Sequence, residues 1–232
     1  MSMERLDRIL SQAGFCSRKD ALRYARKGLI KVNGLVVRRS DEKIDEDSRI
    51  EIDGVLLEPH RNMVCMMNKP KGFVTSTADD RNRTVMELLP ESMLRQGVVP
   101  VGRLDKDTEG LLLFTNDGDL QHRLISPKHG VSKVYYVEHD GDITEDDIQR
   151  AKEGIGLKDG SQCRSAVITR LEEGRSTIEI HEGMYHQMKR MYAALDHHVN
   201  FLRRIKIADL ELEGLQTGEV RELTADEIKA LD

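Results

Sequence analysis

Chemistry is most legible between residues 102 and 118, where Gly102-Arg103-Leu104-Asp105-Lys106-Asp107-Thr108-Glu109-Gly110 runs into Leu111-Leu112-Leu113-Phe114-Thr115-Asn116-Asp117-Gly118. Three carboxylates, two basic residues and a threonine lie between a turn at Pro100 and an apolar run. A carboxylate so placed can act as a nucleophile or hold developing positive charge, and a nearby cation keeps it ionised. The loop is bracketed by glycines and anchored on four apolar residues, and catalytic groups concentrate on loops held by rigid strands. Solvated surface loops also collect Asp and Lys, so composition alone leaves the segment evenly balanced between a site and a turn.

Other reactive patterns lack the required spacing. His181 and His186 are five residues apart with Gly183 between them, which puts them on different faces of any helix and argues against a metalloprotease pair. The adjacent His197 and His198 point apart and read as a turn. Cys16, Cys65 and Cys163 form an odd, scattered set with no C-x-x-C pair, which fits neither a disulfide framework nor a zinc finger and suits a reducing compartment. There is no Gly-rich phosphate loop and no G-x-S-x-G elbow. A glycoside hydrolase would need two well-placed acids, for which Asp105 and Asp107 qualify by type only.

The elements that must position the loop follow from periodicity. Leu111–Thr115 is a buried strand closed by Asn116-Asp117-Gly118, with a helix over 119–125. Residues 63–68 and 69–74 read as strand, turn, strand around Pro70 and Gly72. A short helix is expected at 84–89, strands at 134–138 and 176–181, a helix at 185–196, strands at 201–207 and 210–212, and a terminal helix from Ala225. Strands and helices without a βαβ rhythm predict an α+β domain with a mainly antiparallel sheet. Upstream, Leu6, Ile9, Leu10 and Ala13 predict a helix closed by Gly14. Ser17 caps a second helix through about Lys27, with Ala21, Leu22 and Ala25 inward. Asn33-Gly34 between two apolar runs signals a tight hairpin. The acidic stretch 40–53 and residues 59–62 read as the module's end and a linker, dividing the chain into 1–60 and 61–232.

Charge is partitioned along the chain. The formal net charge of the 232 residues is −5, yet residues 1–40 hold ten Arg/Lys against three acids and residues 41–58 hold eight acids against two basic residues. A local basic block is an electrostatic footprint that an acidic average does not veto. Arg18, Lys19, Arg23, Arg26 and Lys27 gather on or beside one face of the second helix, favouring phosphate binding over a merely solvated face. With 4% aromatics and no Trp, a base-stacking groove is not expected, and the ten methionines read as core filler. Apolar runs reach only about five residues against the roughly 20 of a membrane span. The N-terminus lacks the apolar centre of a signal peptide, so the expected location is cytoplasmic.

The stretch from Arg5-Leu6-Asp7 through Ser17-Arg18-Lys19-Asp20-Ala21 to Gly28-Leu29-Ile30-Lys31-Val32-Asn33-Gly34 resembles the S4 RNA-binding domain, an αα-β module. The remainder, on G-R-L-D-x-x-T-x-G-L-L-L-x-T-N-D-G, N-K-P-K-G-F-V at 68–74, S-P-K-H at 126–129 with K-V-Y at 133–135, and E-G-M-Y-H-Q-M-K-R-M at 182–191, resembles the RsuA-type rRNA pseudouridine synthases. The resemblance implies that a uridine of ribosomal RNA is flipped from its stack, detached at N1–C1′ and rejoined through C5. Asp105 is then the catalytic carboxylate, adding to the base or trapping C1′. Arg103 fills the vacated stack or orients Asp105. Tyr135 packs on the uracil and helps remove the C5 proton. Lys189, or the adjacent Arg190, pairs with Asp105. Arg5, Arg18, Lys19, Arg23, Arg26, Lys27 and Lys31 are the RNA-binding set.

No metal or cofactor is implied, because neither redox chemistry nor group transfer occurs. The implied partner is ribosomal RNA or a pre-ribosomal particle, met by a monomer without membrane attachment. The S-P-K-H-x-x-x-K-x-Y spacing is closer to the small-subunit (16S) branch and a uridine-516-type site. A 23S enzyme of the same family and a non-catalytic S4-type ribosome-associated protein are the alternatives. Removing residues 1–58 is expected to weaken RNA binding and to flatten log K against log[salt] by roughly 0.7–0.9 for each phosphate no longer neutralised. An unchanged salt slope in a filter-binding titration would place the RNA elsewhere.

Overall fold

The computed structural model describes residues 3–13, 15–45, 48–57 and 62–231. The expected cap at Gly14 and the expected linker residues 59–61 lie outside them. The chain forms two compact units, one of Met1–Met63 with Pro90–Val98 and one of Val64–Leu89 with Val99–Asp232. Among the described residues no helix is long and apolar enough to cross a membrane.

In the first unit β1 (Met3–Arg5) leads into α1 (Leu6–Gln12), α2 (Arg18–Arg26), β2 (Ile30–Val32), β3 (Leu35–Val37), β4 (Lys43–Asp45), β5 (Ile50–Ile52) and β6 (Val55–Leu56), and α3 (Glu91–Arg95) belongs to the same unit. The Ser17 hydroxyl accepts from the Asp20 amide and starts α2. Asn33 and Gly34 take φ of 51° and 83°, the left-handed pair that a tight hairpin requires, and β2 and β3 pair across them. Leu6, Leu10, Ala21, Ala25 and Ile30 are fully buried beneath the sheet β3-β2-β5-β6. Leu22, expected inward, is 38% exposed, because the two small alanines alone face the core. The acidic stretch ends the module as part of its fold. Ile44, Ile50 and Ile52 are buried at alternating positions, so β4 and β5 turn their acids outward and pair with β1 and β2.

The second unit is built on one sheet, β11-β12-β10-β13-β9-β7-β15, with two short strands added at its side. Its elements in chain order are β7 (Val64–Lys69), a 3₁₀ turn (Val85–Leu88), β8 (Val99–Val101), β9 (Glu109–Thr115), α4 (Gly118–Ile125), β10 (Lys133–His139) and α5 (Glu145–Glu153). These are followed by β11 (Val167–Arg170), β12 (Arg175–Ile180), α6 (Gln187–Ala194), β13 (Val199–Ile207), β14 (Leu210–Glu211), β15 (Val220–Glu222) and α7 (Ala225–Lys229). All pairings are antiparallel except β9 with β13. The α+β class with a mainly antiparallel sheet therefore holds. The second strand expected after the turn within 69–74 does not form, since the chain leaves the sheet at Pro70 and makes only a bridge from Val74 to Thr84.

Two backbone features set the site. Arg203 and Arg204 pair with Glu109 and Gly110 in the parallel ladder. Gly110 has φ of 102°, and a Cβ there would lie 2.2 Å from the Arg204 carbonyl oxygen. Between Val134 and Tyr135 the register against β13 slips, Val134 opposing Lys206 while Tyr135 opposes Arg204, which leaves Ile205 as the extra residue of a bulge. Gly110→Ala is expected to cost about 3 kcal/mol or more, through the clash and the positive φ together. An unchanged urea midpoint would refute this close approach.

Candidate active site

The loop between β8 and β9 is fastened from beneath. Lys69, the last residue of β7, is wholly buried, and its Nζ donates to the carbonyl oxygens of Asp105 at 3.1 Å, Thr108 at 2.9 Å, Pro70 at 3.1 Å and Lys106 at 3.5 Å. Burial pulls its pKa from 10.5 down to about 8, against the upward pull of Asp107, Asp105 and Glu109. Thr75 adds a second fastening, its Oγ1 donating to the Leu104 carbonyl at 2.8 Å and accepting from the Leu104 amide at 3.1 Å. Within the loop the Thr108 amide donates to the Asp105 carbonyl at 3.1 Å, and the Gly72 amide reaches the Lys106 carbonyl at 2.8 Å.

So held, Asp105 stands at a cavity of about 600 Å³. Its wall includes Arg103, Asp105, Tyr135, Lys133, His186 and Arg204, on a lining of Leu104, Leu113, Leu202 and Ile207. Among the described lining residues Asp105 is the only carboxylate, which removes the acid pair that a glycoside hydrolase needs. The Asp105 carboxylate lies 3.5 Å from His186 Nε2 and 3.8 Å from Lys189 Nζ. His186 takes left-handed φ and ψ of 48° and 35° at the start of α6, and its ring stacks on Tyr185 at 3.9 Å. That strained entry aims the imidazole at Asp105.

The residues expected from sequence are brought together unevenly. Tyr135 is 7% exposed and faces the cavity, while Tyr136 turns away to hydrogen-bond Glu138 at 3.0 Å and to meet Phe201 edge-on. Lys189 reaches Asp105 only at 3.8 Å and binds Asp107 more closely, at 2.6 and 2.7 Å. Burial pushes the Asp107 carboxyl up, but the hydrogen bonds and charge of Lys189 outweigh it and hold the group below its ordinary value. Arg190 is committed elsewhere, to Asp159 at 2.5 Å, Ser161 and the Tyr185 carbonyl. Arg103 is exposed at the rim with no ion pair among the described residues.

In the first unit Arg18, Lys19, Arg26, Lys27 and Lys31 are exposed and unpaired among the described residues, whereas Arg23 is bridged to Asp20 at 2.9 Å and Arg5 to Asp7 at 2.7 Å. Lys69, Thr75, His186 and Arg204 are site residues that sequence reasoning misses. The run N-K-P-K-G is the available signal for Lys69, and His186, excluded as a metal ligand by its spacing, belongs to the site by another route. No group of three or more His, Cys, Asp or Glu side chains among the described residues is placed to hold a metal ion.

Comparison with known proteins follows the same division. The sequence profile of RNA pseudouridylate synthases matches residues 63–194, and that of the S4 domain residues 4–50. The chain is 36% identical to the ribosomal large subunit pseudouridine synthase B of Bacillus subtilis (strain 168), over 99% of this chain and 96% of that one. It is 35% identical to the ribosomal small subunit pseudouridine synthase A of Escherichia coli (strain K12), over 98% and 99%. A crystal structure of a pseudouridylate synthase superposes with a TM-score of 0.70 at 35% identity, covering 99% of this chain and 100% of that one.

Lys69→Met should remove the lysine donor from four carbonyls, two of which keep only a backbone amide, and lower the hydrogen-exchange protection of the Gly72 and Thr108 amides. Raising the pH through about 8 should do the same in the unsubstituted chain, because the neutral amine keeps two N–H groups for the same oxygens. Between that pH and 10.5 the unfolded chain binds more protons at Lys69, so the group's own contribution to global stability rises as the loop loosens. Protection factors that stay level across this range would contradict the fastening role.

Proposed function

The chain belongs to the RNA pseudouridylate synthase family, isomerases of RNA uridine, and from that premise we propose that it converts one uridine of ribosomal RNA to pseudouridine, in 16S rRNA at a uridine-516-type site. The observation that carries this reading is a lone cavity carboxylate, Asp105, with a buried tyrosine beside it on a wall large enough for a nucleoside. Asp105 acts on the flipped nucleotide, trapping C1′ as the N1–C1′ bond breaks or adding to the base. His186 and Lys189 stand against its carboxylate and orient it. Tyr135 lies against the uracil ring and takes part in removal of the C5 proton after C5 has bonded to C1′. Arg103, free at the rim, enters the stack that the uridine leaves.

The S4 module, residues 1–60 in this reading, supplies RNA affinity through Arg18, Lys19, Arg26, Lys27 and Lys31. Residues 61–232 supply the chemistry. The enzyme acts as a cytoplasmic monomer on ribosomal RNA or a pre-ribosomal particle. S-P-K-H-x-x-x-K-x-Y favours the small subunit. The Bacillus subtilis relative, named for the large subunit and equally similar, supports 23S rRNA as a second reading.

Tritium release from [5-³H]uridine in 16S and 23S transcripts, and in the two subunits, distinguishes these readings. Release from neither RNA would sink the assignment. Asp105→Asn should abolish release with RNA binding nearly intact, since an amide neither attacks nor bears the charge. Tyr135→Phe should keep the stacking, worth about 1–3 kcal/mol per base, yet slow single-turnover chemistry strongly, whereas Tyr136→Phe should change little. Equal, small effects at both tyrosines would make Tyr135 an ordinary strand aromatic.

A further inference from the structure

Two cations on the cavity wall have no part in the scheme above. Lys133 precedes Tyr135 by two residues on β10, and Arg204 opposes Tyr135 across the bulge on β13. Arg204 is 3% exposed. Its Nε donates to the Leu111 carbonyl at 2.7 Å, its Nη1 lies 3.4 Å from the Tyr135 hydroxyl, and its Nη2 is buried with no hydrogen-bond partner among the described residues. The half-buried Lys133 ammonium uses one N–H on the Val131 carbonyl at 2.8 Å. Burial, followed by the charge of Arg204, lowers its pKa to about 8, with no carboxylate pulling it back. Asp105, the one carboxylate on the described wall, is engaged by His186 and Lys189 instead.

Charges removed from water are normally paired or bound to something, and a guanidinium with a spare buried N–H beside a desolvated ammonium is costly until an anion arrives. We propose that Lys133 and Arg204 form an anion hole for the uracil ring, stabilising the negative charge on its carbonyl oxygens while the ring is detached from ribose. This rests on the reading that the chain isomerises uridine in RNA. Heterolysis of N1–C1′ leaves the bonding pair on N1, from which it spreads to O2 and O4, while the Asp105 carboxylate bonds to C1′. When C5 attacks C1′ the C1′–O bond breaks and the carboxylate departs with its electrons. C5 then loses its proton and N1 gains one. If Asp105 adds to the base instead, the enolate formed places its charge on O4, so both routes load that carbonyl oxygen. Fixed cations in a pocket shielded from water stabilise such charge without reorganising, and they favour the anion over neutral uracil, so they act on rate more than on affinity.

The test compares the full-length chain with Lys133→Met, Lys133→Gln and Lys133→Arg. Single-turnover N1–C1′ cleavage is read by nucleoside analysis on RNA carrying uridine or 5-fluorouridine at the target, the fluorinated ring being the intrinsically more stable anion. Each neutral variant should slow cleavage of the uridine RNA by about 10²–10³-fold, the size found for removal of one such donor. Its RNA dissociation constant should stay within roughly threefold. Lys133→Arg should recover to within about tenfold of the unsubstituted chain, and the loss should shrink by at least about tenfold on the fluorinated RNA. A neutral variant that folds and keeps its rate, a loss of equal size on both RNAs, or a loss confined to binding would overturn the anion hole. An unsubstituted chain inactive on both ribosomal RNAs would instead overturn the functional reading, and this proposal with it.

Discussion

A buried ammonium holds the site in shape. Lys69 ends a rigid interior strand, and the four carbonyl oxygens around it are those of Asp105 itself, of Lys106 and Thr108 after it, and of Pro70. A tight polar loop folded onto an apolar sheet has backbone oxygens that neither water nor a ladder can reach, and each would be costly if left unmade. One cation answers several of them at once, much as a bound metal ion would. The lysine bears the desolvation, visible in its lowered pKa, and the loop gains a fixed path. Thr75 repeats the arrangement with a hydroxyl at Leu104. Asp105 thus stands on backbone fixed at positions on both sides, which is how a short loop attains the precision that catalysis asks of a group touching the substrate.

The second constraint is the single parallel pairing in an otherwise antiparallel sheet. β9 leaves the loop and must lie directly beside β13, and only a glycine at position 110 lets the two backbones approach so closely. That pairing brings Arg204 to the end of the loop. The bulge at Ile205 then decides which face it uses. In unbroken register Tyr135 would oppose Ile205, and Arg204 would fall opposite Tyr136, on the other face of the sheet. One extra residue therefore moves a guanidinium from the far face to the cavity.

These two devices also explain what can and cannot be read from the sequence. Leu111–Thr115, the helix that follows it, the Asn33-Gly34 hairpin and the Ser17 cap are legible because each rests on local periodicity or one side chain's hydrogen bond. The loop carboxylate is legible through its bracketing glycines and the family pattern. Lys69 is not, because a lysine before a proline looks like any strand end until its burial is known. Arg204 is hidden by the bulge, since strict alternation along β13 gives no sign of a slip. His186 escapes because helical spacing does not apply to a residue that precedes the helix in a left-handed conformation. α5 is missed although Thr144 and Asp147 form a complete capping box there, a signal weaker to the eye than an apolar stripe. The strands of the acidic stretch 40–53 go unread because its three isoleucines are too sparse to outweigh seven acids.

The placement of positive charge separates two tasks within a chain whose net charge is −5. On the first unit five cations on or just after α2 and on β2 are exposed and unpaired among the described residues, and two more of the expected RNA-binding set are partly neutralised by Asp7 and Asp20. Such charges act through solvent over about 8–10 Å and are screened by salt, so they suit attraction of a phosphate backbone. In the second unit Lys69 and Arg204 are buried and Lys133 is half-buried, the two lysines with lowered pKa values. Salt hardly reaches them, and their fields are strong at short range. In the proposed function the exposed cations contribute affinity that ionic strength tunes, Lys69 fixes the loop, and Lys133 and Arg204 meet charge that develops on the uracil. The acids of β4 and β5 lie on two small sheets of the first unit and lower the net charge without removing its exposed cations, so an acidic average is compatible with an RNA substrate.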